Sequence, residues 1–143
     1  MTRRATPSEV ADRLHSAAIR LLRRVRHTDD ASGLTPARLS VLSVLVFAGP
    51  QTLGDLARAE RVRPPTISNL VSGLERARLV RRTADPEDRR IVRVAATRRG
   101  QRILERARRL RLDFLSNKMQ RLSKTELATL DRAAGIMERV SVE

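Results

Sequence analysis

The sequence predicts a mainly α fold that carries one small β-hairpin and ends in helices on both sides. Ile67, Leu70, Val71 and Leu74 recur at helical spacing as one apolar stripe, which leaves Thr66, Ser68, Asn69, Ser72 and Arg76 on the other faces. Directly after this helix, Leu79–Thr83 and Ile91–Ala95 read as two short strands, and the charged stretch Ala84–Arg90 with its Asp85-Pro86 step reads as a surface turn between them. A second, shorter helix precedes the stripe across a tight turn. Helix, turn, helix, strand, charged loop, strand is the order of a winged helix-turn-helix, an α+β arrangement with a hairpin wing.

Composition narrows what such a fold can do. The chain has 143 residues, one domain's worth, so a single folded unit is expected, completed by a second copy. Lys and Arg number 30 against 16 Asp and Glu, a net charge of +14, and nearly all of the positive charge is arginine, whose planar fork suits phosphate. A polyanion is the natural partner. Nucleic acid is favoured over a membrane surface, because no long apolar run exists and Met1–Pro7 lacks the apolar core of a signal peptide; the cytoplasm is the expected location. The absence of cysteine excludes disulfides, zinc-thiolate sites and thiol redox sensing. With two Phe and no Trp or Tyr, the chain lacks the aromatic platforms on which single strands and RNA loops stack, which leaves duplex DNA.

Each element has its own signal. Ser8–Arg26 places Val10, Leu14, Ala17, Ala18, Leu21, Leu22 and Val25 at spacings of three and four, with Ser8 positioned to cap, so this is an amphipathic helix in need of a partner. His27–Gly33 reads as a loop. Thr35-Pro36 then starts a helix through Leu39, Val41, Leu42, Val44, Leu45 and Phe47 that is apolar nearly all round, hence central to the core, and Gly49-Pro50 ends it. Thr52 opens a short helix with Asp55 in its first turn, where a negative charge suits the helix dipole, and with Leu56 and Ala57 facing inward. Pro64 and Pro65 fit the first turn of the striped helix, where a missing N–H costs little. Thr97 can cap a long segment through Ile103, Leu104, Ala107, Leu110, Phe114, Leu115, Met119 and Leu122, and Ser123-Lys124-Thr125-Glu126 resembles a capping box that begins a last helix with Leu127, Leu130, Ala134, Met137 and Val140. Residues 35–96 are accordingly the expected DNA-reading region, and 1–34 with 97–143 the expected helical dimerisation region, since the terminal helices carry more apolar surface than a lone helix tolerates.

At these residues the chain resembles the multiple antibiotic resistance regulator (MarR) family of winged-helix transcription factors. The matching elements are Leu56-Ala57 with Val62, Pro65, Thr66, Ile67 and Ser68; Leu74-Glu75 with Leu79-Val80-Arg81-Arg82; the wing Asp85-Pro86-Glu87-Asp88-Arg89-Arg90; and Thr97-Arg98-Arg99-Gly100. The resemblance implies a homodimer whose recognition helices enter adjacent major grooves while wing arginines reach the minor groove. It further implies repression, released in many members by small, often aromatic or phenolic ligands. Ala77-Arg78 stands where the family commonly has Gly at the end of the recognition helix, so either Arg78 is left-handed or the turn differs.

The candidate DNA-binding residues are Arg63, Pro65, Thr66, Ser68, Asn69, Ser72 and Arg76 on and before the striped helix, and Arg89 and Arg90 on the wing, with Arg90 favoured because Asp85 and Asp88 can hold an arginine toward a narrow minor groove. A polar helix face and a solvated charged turn are the plain alternatives. Arg98, Arg99, Arg102, Arg106, Arg108, Arg109 and Arg111 point all round a helix, so only part of that run can meet DNA. His15 and His27 lie far from any set of metal ligands. No cofactor is implied, and with no Cys and no Ser in a Gly-x-Ser-x-Gly elbow an enzyme is not expected. Two functional classes remain: a sequence-specific repressor, and a nucleoid-type architectural or anti-sigma-like interaction protein that uses its basic surface without reading sequence.

Overall fold

A computed structural model describes residues 5–142. Within them the order is α1 Pro7–Arg26, a 3-10 helix His27–Ser32, α2 Pro36–Phe47, β1 Gln51–Thr52, α3 Leu53–Glu60, α4 Pro64–Arg76, β2 Val80–Ala84, β3 Val92–Ala96, α5 Arg98–Met119 and α6 Lys124–Val142. The mainly helical fold with a β-hairpin wing is thus as the sequence predicts. Residues 1–4, on which the reading of the N-terminus as no signal peptide partly rests, and residue 143 lie outside the described residues.

Helix starts follow from capping chemistry. α1 is capped by Thr6, two residues before Ser8: the Thr6 hydroxyl accepts the Glu9 N–H at 3.3 Å and the Glu9 carboxylate accepts the Thr6 N–H at 2.8 Å. The Thr-x-x-Glu spacing satisfies two groups at once, and Pro7 fits the first turn, which is why this cap prevails over Ser8. Thr35 and Thr52 accept from Arg38 N–H at 3.4 Å and Asp55 N–H at 3.1 Å, as their positions predict. His27–Ser32, read as loop, is instead wound into 3-10 turns and closed by Gly33 at φ 69°.

The core is built around α2. Leu39, Val41, Leu42 and Leu45 are buried, and they pack with Leu56 and Ala57 of α3, Ile67, Val71 and Leu74 of α4, Leu79 and Val80, Val94 of β3, and Leu104 and Ala107 of α5. Each fully buried aliphatic side chain contributes about 1.5–3 kcal/mol. Phe47 departs from the expected core role: it is the last residue of α2 and is 76% exposed.

The sheet has the order β1-β3-β2, antiparallel throughout. β2 and β3 start one residue later than their apolar runs, pairing Val80 with Ala96 and Ala84 with Val92. β1 adds a third strand through Gln51 opposite Val94, a segment too short to show alternation in sequence. The chain divides into two compact units, one ending at Arg111 and one beginning at Leu112. The first holds the core and the wing; in the second, α6 buries no residue.

Candidate nucleic-acid interface

The turn between α3 and α4 sets the exposure of α4. Arg61 takes a left-handed conformation, φ 53°, and the Val62 N–H returns to the Ala57 carbonyl at 3.0 Å, so the chain reverses within a few residues. α4 then turns Ile67, Val71 and Leu74 into the core and leaves Pro65, Thr66, Asn69 and Arg76 exposed, with Arg63 exposed just before it. Ser68 and Ser72 are half-buried at the border of this stripe. From β2, Arg82 donates to Glu75 at 3.1 Å and reaches the Ser72 hydroxyl at 3.5 Å, so Ser72 and Glu75 border the wing side of α4. Arg82 was not a candidate in the sequence; its place in β2, one strand repeat from Val80, is the signal that could have put it beside α4.

Where α4 ends, Arg78 adopts φ 58°, the left-handed form that glycine takes most readily. The N–H groups of Arg78 and Leu79 close onto Glu75 and Leu74 carbonyls at 2.8 and 2.9 Å. Thr97 fastens this exit to α5: its hydroxyl donates to the Arg78 carbonyl at 2.8 Å and accepts the Gly100 N–H at 3.1 Å. A side chain on Gly100 would run into the Leu79 carbonyl, so only glycine lets α5 approach here.

The wing loop is organised by its two aspartates, with a different division of labour from the one the sequence suggests. Asp85 is buried, 6% exposed, and accepts the Glu87 and Asp88 N–H groups at 2.8 and 3.3 Å together with the Arg93 guanidinium. The Arg93 hydrogen bond and then the Glu87 N–H hold its carboxyl below the ordinary aspartate value. Asp88 takes Arg90, accepting its backbone N–H at 3.0 Å and its Nε and Nη2 at 3.1 and 3.2 Å, and these bonds lower its pKa likewise. The Arg90 side chain is 91% exposed, tethered at its guanidinium and otherwise open to solvent. Arg89 is exposed beside it. Of the arginines from 98 to 111, Arg111 is drawn inward: it binds the buried Asp29 carboxylate at 2.6 and 2.9 Å. Arg98, Arg99, Arg102, Arg106, Arg108 and Arg109 are exposed, and so are His15 and His27 on the α1 side. A stripe of short hydrogen-bonding side chains therefore stands next to a cationic arm, a combination able to read groove edges and to engage phosphates.

The MarR family model matches residues 32–91, from the end of the 3-10 helix through the wing loop. An HTH-type transcriptional regulator of Mycobacterium tuberculosis, MT0903.1, is 33% identical over 130 residues, 91% of each chain. The transcriptional repressor MdtR of Bacillus subtilis is 31% identical over 71 residues, half of this chain and 46% of MdtR. Among solved structures, a MarR family protein of Bacillus stearothermophilus superposes with a TM-score of 0.82 at 26% identity, covering 95% of both chains. The chain belongs to the MarR family of helix-turn-helix transcriptional regulators, which are DNA-binding proteins and not enzymes.

Proposed function

We propose that this regulator is a sequence-specific repressor that binds an inverted-repeat operator in duplex DNA as a homodimer. The observation that carries this reading is the juxtaposition, in one unit, of the exposed α4 stripe and the tethered Arg90. Thr66 and Asn69 contact base edges in the major groove, where an amide pairs well with adenine, while Arg63, Pro65, Ser68, Ser72 and Arg76 line the surrounding surface. Arg90, with Arg89 beside it, enters the minor groove, where phosphates crowd and a cation is favoured. The net charge of +14 supplies the attraction common to all DNA. The exposed apolar residues of α1 and of α6 are covered by a second copy, with residues 1–34 and 97–143 as the dimerisation region and 35–96 as the reading region. MdtR, a relative across half of the chain, is named a repressor, which favours that sign of regulation. A small effector is accommodated in the cleft of about 270 Å³ lined by Leu22, Val25, Leu39 and Leu104 together with Arg26, Ser40, Ser43 and the Asp29–Arg111 pair, a lining of apolar and polar groups in similar measure that fits an organic molecule of mixed character. No helix among the described residues is long and apolar enough to cross a membrane, in keeping with work on chromosomal DNA in the cytoplasm.

Footprinting the DNA upstream of its own gene tests the reading. The expected result is a discrete protected inverted repeat with half-sites about 10 bp apart, or a multiple of that, and an affinity at least about 10³-fold above random duplex. Uniform protection with no preferred site would replace it with the architectural alternative.

A further inference from the structure

The exposed stripe of α4 is bordered by two arginines from other elements, and only one of them has a protein partner. At about 100° per residue, Ser72 and Gly73 lie on opposite borders of the line through Asn69 and Arg76, each about 40–60° away. On the Ser72 border stands Arg82, neutralised by Glu75 at 3.1 Å. On the Gly73 border stands Arg38 of α2, whose guanidinium lies flat against the glycine: a Cβ at Gly73 would fall 2.5 Å from its Nη2 and 2.9 Å from its Cζ. Arg38 is half-buried, and among the described residues its guanidinium has no carboxylate or carbonyl acceptor. An arginine is rarely brought against a helix backbone without an acceptor for its five donors. A helix in the major groove is flanked by two phosphate backbones.

We infer that Arg38 binds a DNA phosphate on the side of the recognition helix away from the wing, and that Gly73 is the notch that lets it reach that position. The inference rests on α4 being the reading helix. Arg38 fixes the helix in its groove by charge and carries no sequence preference of its own. Gly73, buried in mid-helix where glycine is normally a poor choice, is then explained by function: any larger residue pushes the guanidinium away.

The full-length protein, titrated by fluorescence anisotropy against operator and random duplexes over a range of salt, separates the possibilities. Arg38→Gln should weaken both duplexes alike, by roughly five- to tenfold, and make the slope of log K against log salt shallower by about 0.9. Arg38→Lys should keep most of the slope. Gly73→Ala should raise the melting temperature, since alanine is the better helix former and only a flexible side-chain end must move, yet lower DNA affinity as Arg38→Gln does, and the double variant should bind no worse than Arg38→Gln alone. Asn69→Ala is the control, losing discrimination while the salt slope stays. Unchanged affinity and slope in Arg38→Gln, with Asn69→Ala impaired, would overturn the inference. A Gly73→Ala protein that binds as wild type would remove the notch. If Asn69→Ala is silent as well, α4 is not the reading helix and the Arg38 inference falls with it.

Discussion

At the scale of single residues, the exit from α4 shows how one contact fixes the aim of a wing. Gly100 is buried against the Leu79 carbonyl, and Thr97 bonds both the Arg78 carbonyl and the Gly100 N–H, so the end of α4 and the start of α5 are locked together. Because the obstacle is backbone, which cannot swing aside, Gly100→Ala should destabilise the protein by about 3 kcal/mol in urea unfolding. A loss below about 1 kcal/mol would mean the two elements can part without strain. Arg78 gives the opposite expectation: at φ 58° its Cβ is crowded, so Arg78→Gly should stabilise by roughly 1 kcal/mol, and a melting temperature that falls would show that its side chain matters more than its backbone. Of these two features the sequence shows one. Arg78 is visible as the residue where a glycine is usual, because capping is local. The close approach at Gly100 joins residues far apart in the chain, and periodicity has nothing to say about it.

At the scale of elements, the same division recurs. The α4 stripe, the Thr35 and Thr52 caps and the Ser123 capping box were legible, because they depend on residues within one turn of each other. The cap of α1 moved to Thr6 because a reciprocal bond with Glu9 outweighs a plausible lone serine. β1 was missed because its pairing with β3 is non-local. In the wing, the sequence indicated that an aspartate would hold an arginine, but not which would hold which: Asp85 takes Arg93 across the hairpin and Asp88 takes Arg90. This assignment has a pH signature. With its pKa lowered chiefly by Arg93, Asp85 stabilises the folded wing fully above its unfolded value, and that stabilisation is lost as pH falls through the lower, folded value. The Glu87 and Asp88 amides, bonded to Asp85, should therefore titrate in NMR spectra with a midpoint below the ordinary aspartate value, and Asp85→Asn should abolish the step. A midpoint at or above that value would show that Arg93 does not hold Asp85 in solution.

At the scale of the whole molecule, the unanswered demand is cover for the terminal helices. α1 buries only Val25 in the single chain, leaving Val10, Leu14, Leu21 and Leu22 between 43% and 53% exposed. α6 buries nothing, and Leu127, Leu130, Ile136 and Met137 stand 44% to 52% exposed. Periodicity made these faces legible, since an amphipathic stripe is written within one helix. A second copy as their occupant is an expectation from the amount of apolar surface and not from the spacing, because self-complementarity is a property of a whole surface. The proposed homodimer would meet the demand and would also double the number of reading helices, so dimerisation and operator affinity should fail together. Light scattering at micromolar concentration should give twice the 16.1 kDa chain mass. Leu130→Asp, at a residue 44% exposed on a helix that buries no residue, should leave circular dichroism near normal while shifting the mass to that of the monomer. Linking two half-site contacts through a dimer raises affinity by about 10²–10⁴ without any new contact, so Leu130→Asp should lose a factor in that range on the full operator and little on an isolated half-site. A wild-type protein that scatters as a 16.1 kDa monomer, or a monomeric variant that keeps full operator affinity, would show that these apolar faces serve some other partner.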